Sequence, residues 1–457
     1  MSKGRSNLLP NQVGPHVPFW ANSKDMFQYP GWENHVNHVY EEFDITSDQT
    51  SIVRGTKQVF QIDRRGDRLT TLDLIIQRNG ATRSGTGGCF EDWEAYSSID
   101  YVDIFYNNKL VWRKRMEKRV LDIMERCTAQ ERAALARLGN GDLSYNERVI
   151  TYAADFSSPK VLVCSFGVPW EKLNKSICMV GLPNKIRVEV NWKNFADCCN
   201  NPNNATLTDA STRTATLRCG FYHLPEDLRQ FHFAQTQSAT GLRYKILTEE
   251  TQIGETMTAQ GSAFSQAIRL TTIRNSAVSI KSIVRQTENV TSNLYRDLFH
   301  FLAHDVYIRD NGSQVTDQAN YQFIESELPI TSGTRAYHKW KIPSAMYPHH
   351  PTRHGAGVTR ILFCPPKTYA MSEDHCFGSR NISGYNNPEY FMPITVGAVG
   401  DYYGIVASKK IYNADGTISV LAGPTDNASS NFQIDIYAEI HNILIQKQGD
   451  LRPLFAY

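Results

Sequence analysis

Strict alternation of apolar and polar positions is the dominant pattern of this chain. Over Lys185–Trp192, Ile186, Val188, Val190 and Trp192 fall on one side and Lys185, Arg187, Glu189 and Asn191 on the other. A period of two predicts a strand with one face in a core and one face wet. Phe432–Ile445 opens in the same way, with Phe432, Ile434, Ile436, Ala438 and Ile440 against Gln433, Asp435, Tyr437, Glu439 and His441. Further strands are predicted at Thr56–Ile62, Leu69–Gln77, Tyr101–Tyr106, Val161–Phe166, Ala263–Leu270 and Ser279–Gln286. A hairpin is predicted from Ile405–Tyr412 and Thr417–Leu421 around Asn413–Gly416. Helical periodicity is scarce. Lys114–Arg126 sets Met116, Val120, Ile123 and Met124 on one stripe, and Thr128 with Glu131 reads as a capping box for a second helix ending at Gly139. Leu294, Leu298, Phe301 and Leu302 make a similar stripe in the second half.

Two β-rich halves, each with a helical insertion, follow from this pattern. Residues 1–50, with Pro10, Pro15, Pro18 and Pro30 and isolated aromatics, read as an N-terminal arm lying along its own body or a neighbour. Residues 51–235 and 236–457 are each the size of an eight-stranded antiparallel sandwich, joined through the polar stretch Gln235–Gly261.

Composition narrows the function classes. With 48 Lys and Arg against 46 Asp and Glu, no global charge points to nucleic acid or an anionic membrane. No apolar run reaches the length of a membrane-spanning helix, and the first residues, MSKGRSNLLP, lack the apolar stretch of a secretory signal. Nine scattered cysteines without a CxxC spacing read as reduced thiols, the adjacent Cys198 and Cys199 included.

No constellation points to catalysis, a cofactor or a metal. Gly80–Thr86 lacks the lysine of a phosphate loop and reads as an inter-strand loop. His300 and His304 share a helical spacing, and His349, His350 and His354 share a loop, but no carboxylate or thiol completes a ligand set. Arg65-Gly66-Asp67 spells an integrin-type tripeptide at a place where a turn is expected. Arg113, Lys114, Arg115, Lys118 and Arg119 form a basic cluster on the polar side of the predicted helix. It reads either as a solvated face or as a contact patch for an acidic partner or membrane headgroups.

The order of these features resembles the double jelly-roll major capsid proteins of nucleocytoplasmic large DNA viruses and their relatives, over most of residues 55–457. The resemblance rests on Arg64–Leu69 as the entry into a strand, Tyr101–Leu110 as a strand–turn–strand, the helix that follows it and Phe166–Trp192. It continues through Leu224–Phe231 as a link between rolls, and Tyr437–Ile445 with Gly449 and Leu454 at the end. The resemblance implies an all-β fold of two tandem eight-stranded antiparallel jelly rolls with short helical insertions. It also implies a structural virion protein rather than an enzyme: a homotrimer forming a pseudo-hexameric capsomer in an icosahedral shell around DNA. Implied partners are neighbouring capsomers, minor capsid proteins and an inner membrane beneath the shell. Sequence-specific nucleic acid is not among them, and assembly would be in the host cytoplasm. A scaffold or minor capsid protein of the same fold, or an all-β carbohydrate-binding protein or enzyme, are the alternatives.

Overall fold

The computed structural model of the chain describes residues 39–49, 51–84, 88–127, 129–141, 159–171, 175–201, 206–209, 213–258, 263–287, 306–316, 358–364, 378–395, 410–412, 418–420 and 431–455. Among the described residues, eight strands build the two main sheets of the first half: β1 (Val39–Thr46), β2 (Lys57–Ile62), β3 (Arg68–Arg78), β4 (Ile99–Tyr106), β5 (Lys109–Arg115), β6 (Lys160–Ser165), β7 (Ile186–Trp192) and β8 (Arg213–His223). They form two antiparallel sheets, ordered β1-β8-β3-β6 and β2-β7-β4-β5. The second half repeats the plan with β9 (Leu242–Thr258), β10 (Ala263–Arg269), β11 (Ser276–Gln286), β12 (Tyr307–Asp310), β13 (Ser313–Gln314), β14 (Val358–Leu362), β15 (Pro388–Thr395) and β16 (Asn431–Lys447). Its sheets are ordered β9-β16-β11-β14 and β10-β15-β12-β13. Each strand therefore takes the place of the strand eight before it, and each half is an eight-stranded jelly roll. A last strand, β17 (Asp450–Pro453), folds back on β16.

The alternation places the cores. In β7, Ile186, Val188 and Val190 are fully buried between β2 and β4. They meet Leu72, Leu74, Leu217 and Phe221 of the facing sheet in one apolar cluster. Ile434, Ile436 and Ala438 do the same in the second roll with Ile280, Ile308 and Tyr390. At roughly 1.5–3 kcal/mol for each large side chain fully buried, these inner faces are the main favourable contribution to each roll. The β4–β5 hairpin turns at Asn107 and Asn108, both at positive φ (49° and 62°), the backbone that a two-residue turn between twisted strands needs. At Arg65-Gly66-Asp67 the chain passes so close to β8 that a Cβ on Gly66 would lie 2.6 Å from Phe221 Cβ. Asp67 is buried and accepts a hydrogen bond from the Leu224 amide at 2.8 Å, so this tripeptide is a structural turn and does not present its carboxylate.

Four helices are described: α1 (Glu94–Ser97), α2 (Met116–Arg126), α3 (Ala129–Gly139) and α4 (Glu226–Gln237). A fully buried ion pair, Arg78 Nε to Glu94 Oε1 at 2.7 Å, ties α1 to β3, and Asn140 Nδ2 donates to the same carboxylate.

The structure corrects several expectations. Val39–Thr46 is not arm: it pairs with β8 along its whole length, so the first roll already includes residue 39, and residues 1–38 lie outside the described residues. Gln235–Gly261 is not a linker: α4 ends at Gln237, and Leu242–Thr258 is the 17-residue β9. Its Thr, Gln and Gly content disguised it because β9 buries one face against the first roll rather than alternating simply. The helix starts at Met116, not Lys114, so Arg113, Lys114 and Arg115 belong to β5. Thr128, the 294–302 stripe, His35, His38, His300, His304, His349, His350, His354 and Cys376 lie outside the described residues. Thr82–Ser84, within the glycine-rich segment, is a short strand paired with Thr206–Thr208. Lys410–Tyr412 and Ile418–Val420 pair as expected for the hairpin.

Candidate functional site: the seam between the two rolls

The helix α2 carries two stripes. Met116, Val120 and Ile123 enter the core of the first roll. Lys118, Asp122 and Arg126, spaced i, i+4, i+8, run along another side. That side does not face water. Lys118 is fully buried and Asp122 is 2% exposed. Both lie against the outer face of the second roll's sheet β9-β16-β11-β14.

This sheet face answers charge with charge. Glu439 of β16 stands directly across from Glu249 of β9 and Ser279 of β11. Its carboxylate accepts from Lys118 Nζ at 2.9 Å, Arg126 Nη2 at 3.0 Å and Ser279 Oγ at 2.8 Å. Asp122 accepts from both Lys114 Nζ and Lys118 Nζ, and Lys281 Nζ of β11 lies 3.5 Å from it. Tyr437 donates its hydroxyl to Glu117 Oε2 at 3.1 Å. Burial pushes the Asp122 and Glu439 carboxyls up, but the ring of ammonium and guanidinium groups outweighs it and holds both below the usual carboxylate range. Glu249 goes the other way. Burial raises it, and Lys114, with Nζ 3.7 Å away, offsets only part, while neither Glu249 oxygen accepts a hydrogen bond.

Beyond the charges, the seam is closed by amides and apolar side chains. Gln446 of β16, fully buried, accepts from the Cys178 amide at 3.1 Å and returns a hydrogen bond to the Cys178 carbonyl. Tyr106 donates to the Gly449 carbonyl at 2.8 Å, and Lys109 pairs with Asp450 at 2.9 Å. Leu242, Tyr244, Ile246, Leu444 and Leu451 join the first roll's own apolar cluster. The long strand β16 therefore serves the second roll along one stretch and the first roll along another, while β9 pairs with it along its length and sends Leu242, Tyr244 and Ile246 to the first roll.

The basic cluster is thus dispersed. Lys114 and Lys118 are inside the seam, which excludes them as a surface patch because their ammonium groups are already paired with Asp122. Arg119 reaches back to the Ser165 carbonyl at 3.2 Å. Arg113 and Arg115 lie on the outer face of β5, bridged to Asp103 and Asp100 at 2.6 Å and set over the Tyr101 ring. Sequence reasoning missed Glu439, Glu249 and Lys281. A lone lysine in Ala277–Val284, and alternating charge at helical spacing in α2, were the available signals.

Two further places bear on chemistry. A solvent-open depression of 720 Å³ is lined in part by Lys57, Asp100, Tyr101, Asn191, Lys193 and Asp197. Its carboxylates are engaged, Asp100 by Arg115 and Asp197 by Asn194 Nδ2 at 3.1 Å. Burial pushes the Cys198 and Cys199 thiols up, which disfavours the thiolate needed for redox or metal chemistry. Among the described residues, no group of three His, Cys, Asp or Glu side chains is placed to hold a metal ion.

No family model and no curated protein matches the chain. Solved structures do. The capsid of the virus PBCV-1 is similar at 15% identity with a TM-score of 0.66, over 92% of this chain and 97% of that one. The Faustovirus major capsid protein follows at 9% identity and a TM-score of 0.57, over 90% and 91% of the two chains. The mavirus major capsid protein follows at 8% identity and 0.51, over 90% and 89%. Likeness at such low identity is likeness of fold, and it extends over about nine-tenths of the chain: the chain has the double jelly-roll fold found in viral major capsid proteins.

Proposed function

We propose that this protein is a structural building block of a viral shell, a major capsid protein whose trimers present six similar rolls and tile as near-hexagonal units. The observation that carries the reading is the seam. Two rolls of identical strand order are locked by buried ion pairs, amides and a shared apolar cluster into one double tile. A shell needs such rigidity, because flexible joints between rolls would blur the curvature set by the lattice. Three copies of a two-roll tile close a ring by one repeated head-to-tail contact. Obligate contacts of this kind bury on the order of 2,000 Å² or more. Neighbouring trimers, minor capsid proteins and an inner membrane are the partners of that role, and the virion is its location. The purified full-length chain is expected to sediment near three times 51.8 kDa and to form shell-like particles, alone or with a partner protein. A chain that stays monomeric at high concentration and supports no particles contradicts the proposal.

A further inference from the structure

A β-bulge shapes one end of the first roll. In β4, Val102, Ile104 and Tyr106 enter the core, and strict alternation would send Asp100 in with them. The register shifts instead: Asn191 of β7 stands across from Tyr101, but Trp192 stands across from Ile99. Asp100 is the extra residue, so Ile99 takes the core position, and Asp100 and Tyr101 both line the solvent-open depression of 720 Å³. The walls of this depression are the starts of β2 and β4 and the end of β7. Main-chain hydrogen bonds fasten them to one another. The Trp192 amide donates to the Thr56 carbonyl at 3.0 Å, Lys193 to Ser98 at 3.1 Å and Gly55 to Lys193 at 3.3 Å. Gly55, at φ 73°, lets its loop pass against Asn194, whose Oδ1 any Cβ at that position would strike.

Charge is balanced inside the depression, with Lys57 and Lys193 against Asp100 and Asp197. Three of these four are held by partners outside it: Lys57 by Glu189 at 3.2 Å, Lys193 by Glu91 at 3.9 Å and Asp100 by Arg115 at 2.6 Å. An ionic ligand would have to compete with one of those pairs. An apolar ligand finds little to cover, because Trp192, the largest apolar side chain of the lining, is only 4% exposed. What the lining offers besides its paired charges is neutral and polar: the Asn191 and Asn194 amides, the Thr56 hydroxyl and the Tyr101 phenol. Asn194 gives its Nδ2 to Asp197 at 3.1 Å, and its Oδ1 accepts no hydrogen bond among the described residues. The Tyr101 hydroxyl likewise meets no partner among them, while the guanidinium groups of Arg113 and Arg115 hold its ring at 4.7 and 5.6 Å.

We infer that this depression is a binding site for a neutral saccharide. A sugar ring carries no charge and presents hydroxyls that both donate and accept, which matches amides and hydroxyls set beside balanced ions. Its C–H face suits Tyr101, an apolar ring with a polar tip. Asp100, fixed by Arg115, serves as a further acceptor for sugar hydroxyls. The volume falls within the ~300–1,000 Å³ of small-molecule sites. Because the walls are strand ends already tied by main-chain hydrogen bonds, little conformational freedom is lost when the ligand enters. The site lies within a single roll and does not depend on the proposed trimer.

The test uses the full-length chain and saturation-transfer NMR at millimolar ligand. The probes are glucose, galactose, mannose and N-acetylglucosamine with their short oligomers, and N-acetylneuraminic acid and glucosamine as charged counterparts. At least one neutral saccharide is expected to receive saturation from the protein and to bind more tightly than either charged sugar. Tyr101→Ala and Asn194→Ala are each expected to weaken that binding about tenfold. Gln61→Ala, on the outer face of β2 but outside the depression, is expected to leave it unchanged. Thermal unfolding checks the fold, and if Tyr101→Ala proves unstable, the exposed Asn194 decides the result. Silence from every saccharide overturns the inference, as does binding that survives Asn194→Ala unchanged. Preference for a charged sugar overturns it too, because the charge balance of the lining would then be misread. Each of these failures leaves the capsid reading intact, since sedimentation and particle formation decide that separately.

Discussion

Glu439 and Glu189 occupy matching places on alternating strands, yet their substitution is expected to differ sharply. Glu189 sits on the outer face of β7, itself only 8% exposed but paired with Lys57 and Arg187, whose side chains are 59% and 33% exposed and stay hydrated when it is removed. Glu189→Ala is expected to cost at most about 1 kcal/mol in chemical denaturation. Glu439→Ala removes the acceptor of Lys118, Arg126 and Ser279 in the seam. Removing one carboxylate from this buried ion cluster is expected to cost about 3–5 kcal/mol. The pH dependence follows from the same residues. Asp122 and Glu439 are held below the unfolded carboxylate value of about 4, so their contribution is present above pH ~4. It is lost only as the pH falls through their lower folded values. Glu249 has a raised folded value, so it subtracts stability above that value and stops doing so as the pH falls. The seam is therefore expected to hold in mild acid and fail in strong acid. Glu249→Gln should stabilise the chain at neutral pH and remove part of the gain seen on mild acidification, read from denaturation midpoints at several pH values.

At the scale of elements, each central strand belongs to its own core. Val188 of β7 and Ile436 of β16 are fully buried in separate apolar clusters. Val188→Asp and Ile436→Asp each force a carboxylate into a core without a partner, which costs several kcal/mol, roughly 2–7. Against a stability of ~5–15 kcal/mol, each is expected to abolish soluble, folded protein, assayed by expression and circular dichroism. Recovery of both as normal folded protein would contradict the strand faces described here. The β4–β5 turn offers a finer probe. Asn108→Val places a branched side chain at φ 62° and is expected to cost about 1–2 kcal/mol. These strand faces and the turn were legible in the sequence because a period of two, or an Asn-Asn step, is a local signal. β9 was not legible. Leu242, Tyr244, Ile246 and Ile253 pack on the first roll's cluster while Leu247 joins a small cluster with Val278 and Cys364, and no single period describes that.

For the molecule as a whole, the seam joins the rolls into one cooperative unit. Separating them exposes the charges of α2 and β16 together with Tyr244, Ile246 and Leu444. Calorimetry of the full chain is expected to give a single unfolding transition, and two well-separated transitions would show that the rolls melt independently. The basic cluster carries the same lesson. Five cations within seven residues look like one surface patch, but β5 ends at Arg115 and α2 begins at Met116. Alternation within β5 turns Lys114 inward and leaves Arg113 and Arg115 outside, and the helix that follows turns Lys118 inward.

The sequence by itself determined the class of fold, the two-roll plan, the apolar faces of β7 and β16 and the position of α2. The two-roll plan came from the size of the two halves and the family resemblance; the others rest on periodicity within a short segment, which backbone geometry converts directly into a buried face. Tertiary structure alone decided which polar faces are wet. Glu439 and Lys118 are 321 residues apart, and whether a carboxylate on an alternating strand meets water or an ammonium depends on what packs across it. Alternation reports only that the two faces of a strand differ, so a polar face buried against a charged partner reads the same as one left in solvent.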